Sequence, residues 1–162
     1  MARKTENEPK KPGSPTVHNR KARFNFFIED SIEAGLALVG SEVKSLRLGQ
    51  GNLDEAFARV RDGEVFLYNM HIGPYEQANQ TQHEPRRTRK LLLHRREIER
   101  FLGRALARGF TLIPLKLYWK RGQAKVELAI AKGKREFDKR DAIKKRDSER
   151  DTRRETSRRT GR

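Results

Sequence analysis

The 162-residue chain has no cysteine, one tryptophan, three tyrosines and two methionines. The absence of cysteine excludes a disulfide framework and any thiolate metal site. It suits a reducing compartment and predicts a cytoplasmic protein. No apolar run approaches the ~18 residues that a membrane span needs, so no membrane partner is expected. The N-terminal stretch MARKTENEPKKPGSPT lacks the apolar segment of a secretory signal. Negative charge is in short supply: 22 Asp and Glu face 38 Lys and Arg, for a net charge of +16.

Recognisable catalytic spacing is also missing. His18, His71, His83 and His94 show no i, i+3 or i, i+4 pairing, so metal-ligand spacing is absent. There is no G-x-S-x-G and no phosphate-binding loop. The adjacent carboxylates Glu29-Asp30 and Asp54-Glu55 point to opposite faces if they lie on strands, which makes them surface or turn residues. The sequence therefore predicts no enzyme, no metal and no cofactor.

What the chain does have is positive charge gathered at its ends. Residues 133–162 hold thirteen Lys or Arg against seven Asp or Glu. Phe137, Ala142 and Ile143 are almost the only apolar residues there, too few to offset the entropy of ordering. The expectation is a tail that is disordered when free and becomes helical against a polyanion. Three parts follow: a flexible basic arm over 1–22, a folded domain over 23–132 and the tail over 133–162. Charge in this distribution favours release of counterions from a phosphate backbone and points to nucleic acid.

Within the middle region, FNFFIEDSIEAGLALV over 24–39 predicts a strand with a bend near Ala34-Gly35. GSEVKSLR predicts a short helix capped by Ser41, with Lys44 and Arg47 outward. Asp62-Gly63 predicts a tight hairpin within 55–72, followed by a polar loop over 73–89. His94 stands three residues before Glu97, at the N-terminus of a predicted helix over 95–108. Its apolar stripe runs through Ile98, Phe101, Leu102, Ala105 and Leu106. Arg96, Arg100, Arg104 and Arg108 form a line roughly 18 Å long on the other side, read either as a solvated face or as an RNA contact. Strands over 111–120 and 124–132 complete the pattern, with Pro114 marking an edge or a bulge. The expected fold is mainly β with packed helices: a closed or nearly closed antiparallel barrel, of which the oligonucleotide-binding barrel is the common form.

Two cationic clusters read as binding sites. Arg20, Lys21 and Arg23 follow Asn19 into the first strand. Arg86, Arg87, Arg89 and Lys90 stand just before Leu91-Leu92-Leu93, a run read as core, or as leucine exposed beside a base.

Four stretches occur in one order: GSEVKSLR at 40–47, EVFLYNMHIGPY at 64–75, RTRKLLLHRREI at 87–98 and AKGKREFDKRDAIKKRD at 131–147. Together they resemble the SsrA-binding proteins, also called small protein B, over roughly residues 12–150. The resemblance implies an RNA-binding barrel of the oligonucleotide-binding type that is not an enzyme. It implies binding to the tRNA-like domain of transfer-messenger RNA (tmRNA) and its delivery to stalled ribosomes for trans-translation. Asn19, Glu33 and Leu92 fall on positions that the family links to tmRNA, and Glu33 is singled out by the resemblance alone. The tail of the family enters the decoding region and the empty messenger channel of the small subunit. Asp138-Lys139-Arg140, after Gly133-Lys134, matches its tail motif. Arg135, Phe137, Lys144, Lys145 and Arg146 accompany that motif as expected ribosome contacts. Alanyl-tmRNA and elongation factor Tu are expected in the same complex. Two departures are Phe24, where some relatives carry a polar residue or histidine, and Phe137 beside the DKR triplet. A generic RNA-binding barrel shares the charge and the loose ends, and would bind many structured RNAs alike.

Overall fold

The computed structural model describes residues 15–77, 82–105 and 109–160. The arm before residue 15 and Arg108 at the end of the arginine line lie outside this description. Nine strands and four helices appear among the described residues. In chain order they are β1 (Val17–His18), α1 (Ala22–Asn25), β2 (Phe26–Leu36), α2 (Gly40–Arg47), β3 (Gly51–Asn52), β4 (Phe57–Arg61) and β5 (Glu64–Tyr68). There follow β6 (His71–Ile72), β7 (Arg89–Leu92), α3 (Arg95–Ala105), β8 (Phe110–Lys120), β9 (Gln123–Gly133) and α4 (Glu136–Thr160).

Seven strands form one antiparallel sheet in the order β1-β8-β4-β5-β7-β2-β9, and β9 pairs a second time with β8. Strands β3 and β6 form a separate two-stranded ladder. Asp62 and Gly63 have φ of 53° and 76°, the two left-handed positions of the expected tight hairpin between β4 and β5. Arg121 and Gly122 make an equivalent two-residue turn between β8 and β9.

Alternation sorts each long strand into two faces. On the inner face, Ile32, Ala34 and Leu36 of β2 meet Leu112 and Leu117 of β8 and Val126, Leu128 and Ile130 of β9. Phe101 of α3 joins this main core, with Ile98 beside it. At one end the outer face is apolar as well. There Ile113, Leu115, Ala129 and Ala131 pack with Ala22 of α1, and Phe26 and Ile28 lie against them. Two register shifts make this possible. One falls between Ile28 and Asp30 on β2, the other between Pro114 and Lys116 on β8. Pro114 donates no N–H, so a bulge is the place where a strand tolerates it. The irregularity of β2 is at Glu29 and not at Ala34-Gly35. Gly35 remains regular, and a Cβ there would lie 3.1 Å from that of Leu92.

Two details add to the sequence reading. Residues ahead of 23 already belong to the folded body, since β1 pairs with β8 and Ala22 is buried. Ser41 does not cap α2. The cap position is Val39, and Glu42, three residues on, accepts its backbone N–H at 3.0 Å. Residues 82–88 form loop and turn as expected, and the segment is stapled to α2, with Arg89 already the first residue of β7.

Glu42 is the centre of that staple. It is wholly buried, as is Arg89. Arg89 Nε donates to Glu42 Oε1 at 2.8 Å. Arg87 adds a two-pronged contact, with Nε to Oε1 at 2.8 Å and Nη2 to Oε2 at 2.6 Å. The remaining Arg89 donors reach the carbonyls of Met70, Arg87 and Pro85 at 2.6, 3.0 and 3.1 Å. His83 Nε2 donates to Ile72 O at 3.2 Å, and its Nδ1 lies 3.0 Å from the Ser41 hydroxyl. Every polar atom of this buried ion pair therefore has a partner, the condition under which such pairs are tolerated.

Burial pushes the Glu42 carboxyl upward, but the bonds from Arg87, Val39 and Arg89 outweigh it and hold the group below its ordinary value. A depressed folded value favours the ionised form. The stabilisation is therefore present above about pH 4.5 and is lost as the pH falls through the folded value. Glu42→Gln should lower unfolding stability by about 3–5 kcal/mol, since it leaves a buried guanidinium uncompensated. Urea titration of both proteins at neutral pH and at pH 3 checks this. The difference between them should shrink in acid, and equal midpoints at neutral pH would contradict the role given to Glu42.

Candidate nucleic-acid interface

The outer face of β2, β9 and β8 continues beyond the apolar patch under α1. Asn19 sits where the two regions meet. Its Nδ2 donates to the carbonyls of Leu53 and Pro114 at 3.0 and 3.1 Å, and its Oδ1 accepts from Ala22 N at 3.0 Å. Its backbone N–H donates to Leu115 O at 2.8 Å. One side chain thus ties β1, α1, the start of the 53–56 turn and the β8 bulge together. Asn19 is buried, and these bonds position the cationic residues that follow it.

Those neighbours are exposed. Arg20 and Arg23 line an open cleft of about 580 Å³ with His18, Leu115, Lys116 and Glu127. Lys21 points toward Asp54, 3.6 Å away. From the cleft the face becomes an ion-paired strip. Lys116 Nζ lies 2.8 Å from Glu127 and 5.3 Å from the centre of the Tyr118 ring. The Tyr118 hydroxyl donates to Glu33, and Lys120 Nζ lies 3.3 Å from both oxygens of that carboxylate.

Burial works to raise Glu33, but the Tyr118 hydroxyl and Lys120 outweigh it and hold the carboxyl below its ordinary value. Burial and then Glu33 push Tyr118 well above the usual tyrosine range. Glu33 is therefore an ionised acceptor in a fixed orientation beside cations. A carboxylate held in this way can accept a hydrogen bond from an amino group placed over the face.

Leu92 belongs to the same face. It pairs with Gly35, two residues from Glu33, and is half exposed, whereas Leu91 is buried. Within the Leu91-Leu92-Leu93 run, Leu91 is core and Leu92 faces outward. The missing Cβ at Gly35 is what lets Leu92 lie so close over β2.

The Arg86-Arg87-Arg89 cluster divides. Arg89 is inaccessible and Arg87 is committed to Glu42. Arg86 is exposed, 3.5 Å from exposed Glu55, while Arg87 is part-exposed beside Glu42. Lys90 is exposed and bonds Glu64. Lys44 lies in a different groove, 5.4 Å from the centre of the Tyr75 ring, near Arg47 and Leu48. Arg47 in turn lies 5.2 Å from the centre of the Trp119 ring. Arg96 and Arg100 of α3 are exposed.

The tail leaves from the same end as α1. Gly133 is the last residue of β9 and pairs with Phe26. Asp138 accepts the backbone N–H of Arg135 at 3.1 Å and so caps the start of α4, a role not evident in the basic triplet. Lys139, Arg140 and Lys144 follow on that helix. The side chains at 137, 145 and 146 lie outside the description. No group of His, Asp and Glu among the described residues could hold a metal ion, and no helix there is long and apolar enough to cross a membrane.

An antiparallel body with a cationic cleft, an ion-paired strip, an exposed leucine and a basic helix at its rim defines a small basic protein with a face suited to a polyanion. The family model for the SmpB protein matches residues 16–158, and the chain belongs to that family. An SsrA-binding protein of Geobacillus thermodenitrificans is 56% identical over 142 residues, covering 88% of this chain and 92% of the relative. One from Caldicellulosiruptor saccharolyticus is 63% identical over 131 residues, covering 81% and 83%. A chain from a solved structure described as "tmRNA-SmpB: a journey to the center of the bacterial ribosome" is 47% identical. It superposes with a TM-score of 0.65, covering 80% of this chain and 94% of the other.

Two measurements check the geometry. Arg20→Ala with Arg23→Ala should reduce the slope of log affinity for RNA against log salt by about one per lost phosphate contact. An unchanged slope would remove both from the interface. Tyr118→Phe should raise the titration midpoint of Glu33, followed by carbon-13 NMR of the carboxyl. A midpoint that stays put or falls would show that the hydroxyl does not hold the charge.

Proposed function

We propose that this protein binds the tRNA-like domain of tmRNA and delivers it to stalled ribosomes for trans-translation, as an adaptor and not a catalyst. The likeness of most of the chain to the tmRNA-SmpB chain solved with the bacterial ribosome carries this reading. Membership of the SmpB family supports it. The sheet would act as a barrel of the oligonucleotide-binding type. The circuit of pairings from β8 through β4, β5, β7, β2 and β9 back to β8 favours that form.

Arg20, Lys21 and Arg23 take phosphates at the cleft, and Glu33, Lys120 and Leu92 meet bases and sugars on the adjoining strip. Lys44, Arg86 and Lys90 lie around it as further cationic contacts. Arg87 and Arg89 hold the frame, and Asn19 aims the cleft. The tail from Gly133 onward, with Arg135, Phe137, Asp138-Lys139-Arg140, Lys144, Lys145 and Arg146, enters the small-subunit decoding region and the messenger channel. Occupancy of that channel, and not its sequence, decides whether the tail can enter. Alanyl-tmRNA and elongation factor Tu complete the delivered complex, in the cytoplasm.

Competition for the purified protein between tmRNA, bulk tRNA and an unrelated structured RNA, at near-physiological salt, tests the reading. Strong preference for tmRNA is the expected result. Equal competition would leave a generic RNA-binding barrel in its place. Removal of residues 136–162 should leave tmRNA affinity intact while abolishing release of stalled ribosomes. A large loss of affinity would show that tail and body are not separable in function.

A further inference from the structure

Lys134 stands in the tail sequence as one more cation, yet the structure engages it inward. Its Nζ donates to the carbonyl of Arg23 at 2.9 Å and lies 4.8 Å from the centre of the Phe27 ring. Its backbone N–H donates to Asn25 O at 2.9 Å. Two of these three contacts fall on α1, and the third on the second residue of β2. Phe27 is an aromatic ring half exposed to solvent, and the lysine stem and charge above it account for its place there. One residue further on, Arg135 begins the capped turn of α4 through Asp138. The chain therefore passes from sheet to tail helix within three residues, held on both sides of the junction.

We infer that Lys134 is a positioning residue that fixes the direction in which the tail leaves the body, through Phe27 and the backbone of α1. The inference rests on the proposed function, since it concerns how the ribosome-directed tail is aimed. Leverage makes the contact matter. A helix of the 25 residues of α4 is about 37 Å long at 1.5 Å per residue. An error of ten degrees at its root would shift its far end by about 6 Å, a full turn of helix. The carbonyl that Lys134 grips belongs to Arg23, whose side chain lines the cleft. RNA seated in the cleft therefore holds α1, and α1 holds the tail.

The chain has no cysteine, so paired labels can be placed without removing native thiols. Arg61→Cys on the β4–β5 hairpin and Asp141→Cys on α4 are exposed positions. Spin labels there report the tail direction by pulsed electron resonance of the full chain bound to tmRNA. Lys134→Met and Phe27→Leu should broaden the distance distribution to the same extent, and the double substitution should add nothing. Lys134→Arg, which keeps a cation over the ring, should retain the narrow distribution. Release of stalled ribosomes should fall several-fold in both broadened variants, with tmRNA affinity unchanged. A loss of release in Lys134→Met without any effect of Phe27→Leu would assign Lys134 to direct ribosome contact and overturn the proposal. So would additive broadening in the double variant. Equal competition by other RNAs in the binding test above would sink the proposed function while leaving the distance measurement able to judge the clamp.

Discussion

The Glu42–Arg89 pair is the contact on which the remaining geometry depends. A carboxylate and a guanidinium, both out of reach of water, are costly to bury, and the cost is met only because each polar atom finds a partner. Satisfying them draws α2, the 82–88 segment and the first residue of β7 to one point. β7 runs from that point between β5 and β2, where Leu92 lies beside Gly35. A buried salt bridge is poor testimony to raw stability. Here it links α2, the 82–88 segment and β7 at one buried point.

A second constraint comes from the two bulges. Strand side chains alternate with a strict period of two, so an extra residue exchanges the faces beyond it. The irregularities at Glu29 and Leu115 let the same strands close the main core over most of their length and still present an apolar seat for α1 at one end. Asn19 locks that end by bonding the carbonyl of Pro114. Cleft, tail root and α1 thus share one corner of the molecule for a common structural reason.

Much of this was legible in the residues. The Asp62-Gly63 hairpin, the strands around Arg121-Gly122, the start of α3 at His94 and Glu97, and the bulge at Pro114 each rest on local chemistry, and each is found. What local chemistry could not show was pairing at a distance. Glu42 and Arg89 stand 47 positions apart, and nothing in RRTR marks one arginine for the core and another for water. Glu42 carried no capping-box signature, because Val39 at the cap position has no side-chain acceptor. Asn19 stood out through its three cationic neighbours and through family resemblance, and only the fold reveals which carbonyls its amide bonds. Glu33 was singled out by family resemblance, and its orientation by Tyr118 and Lys120 emerges only when β2 and β8 flank β9.

The strip on the outer face has a consequence for selectivity. Lys116 is paired with Glu127 and Lys120 with Glu33, so this region carries little net charge, unlike the cleft with Arg20 and Arg23. Contacts made by the strip release few counterions, while those made by the cleft release many. The two parts of one surface therefore respond differently to ionic strength. On the proposed reading, added salt would weaken the indiscriminate grip on phosphates first and leave recognition by the strip comparatively intact. Discrimination of a cognate RNA from the surrounding pool would then be sharper at the ionic strength of the cell than in dilute buffer.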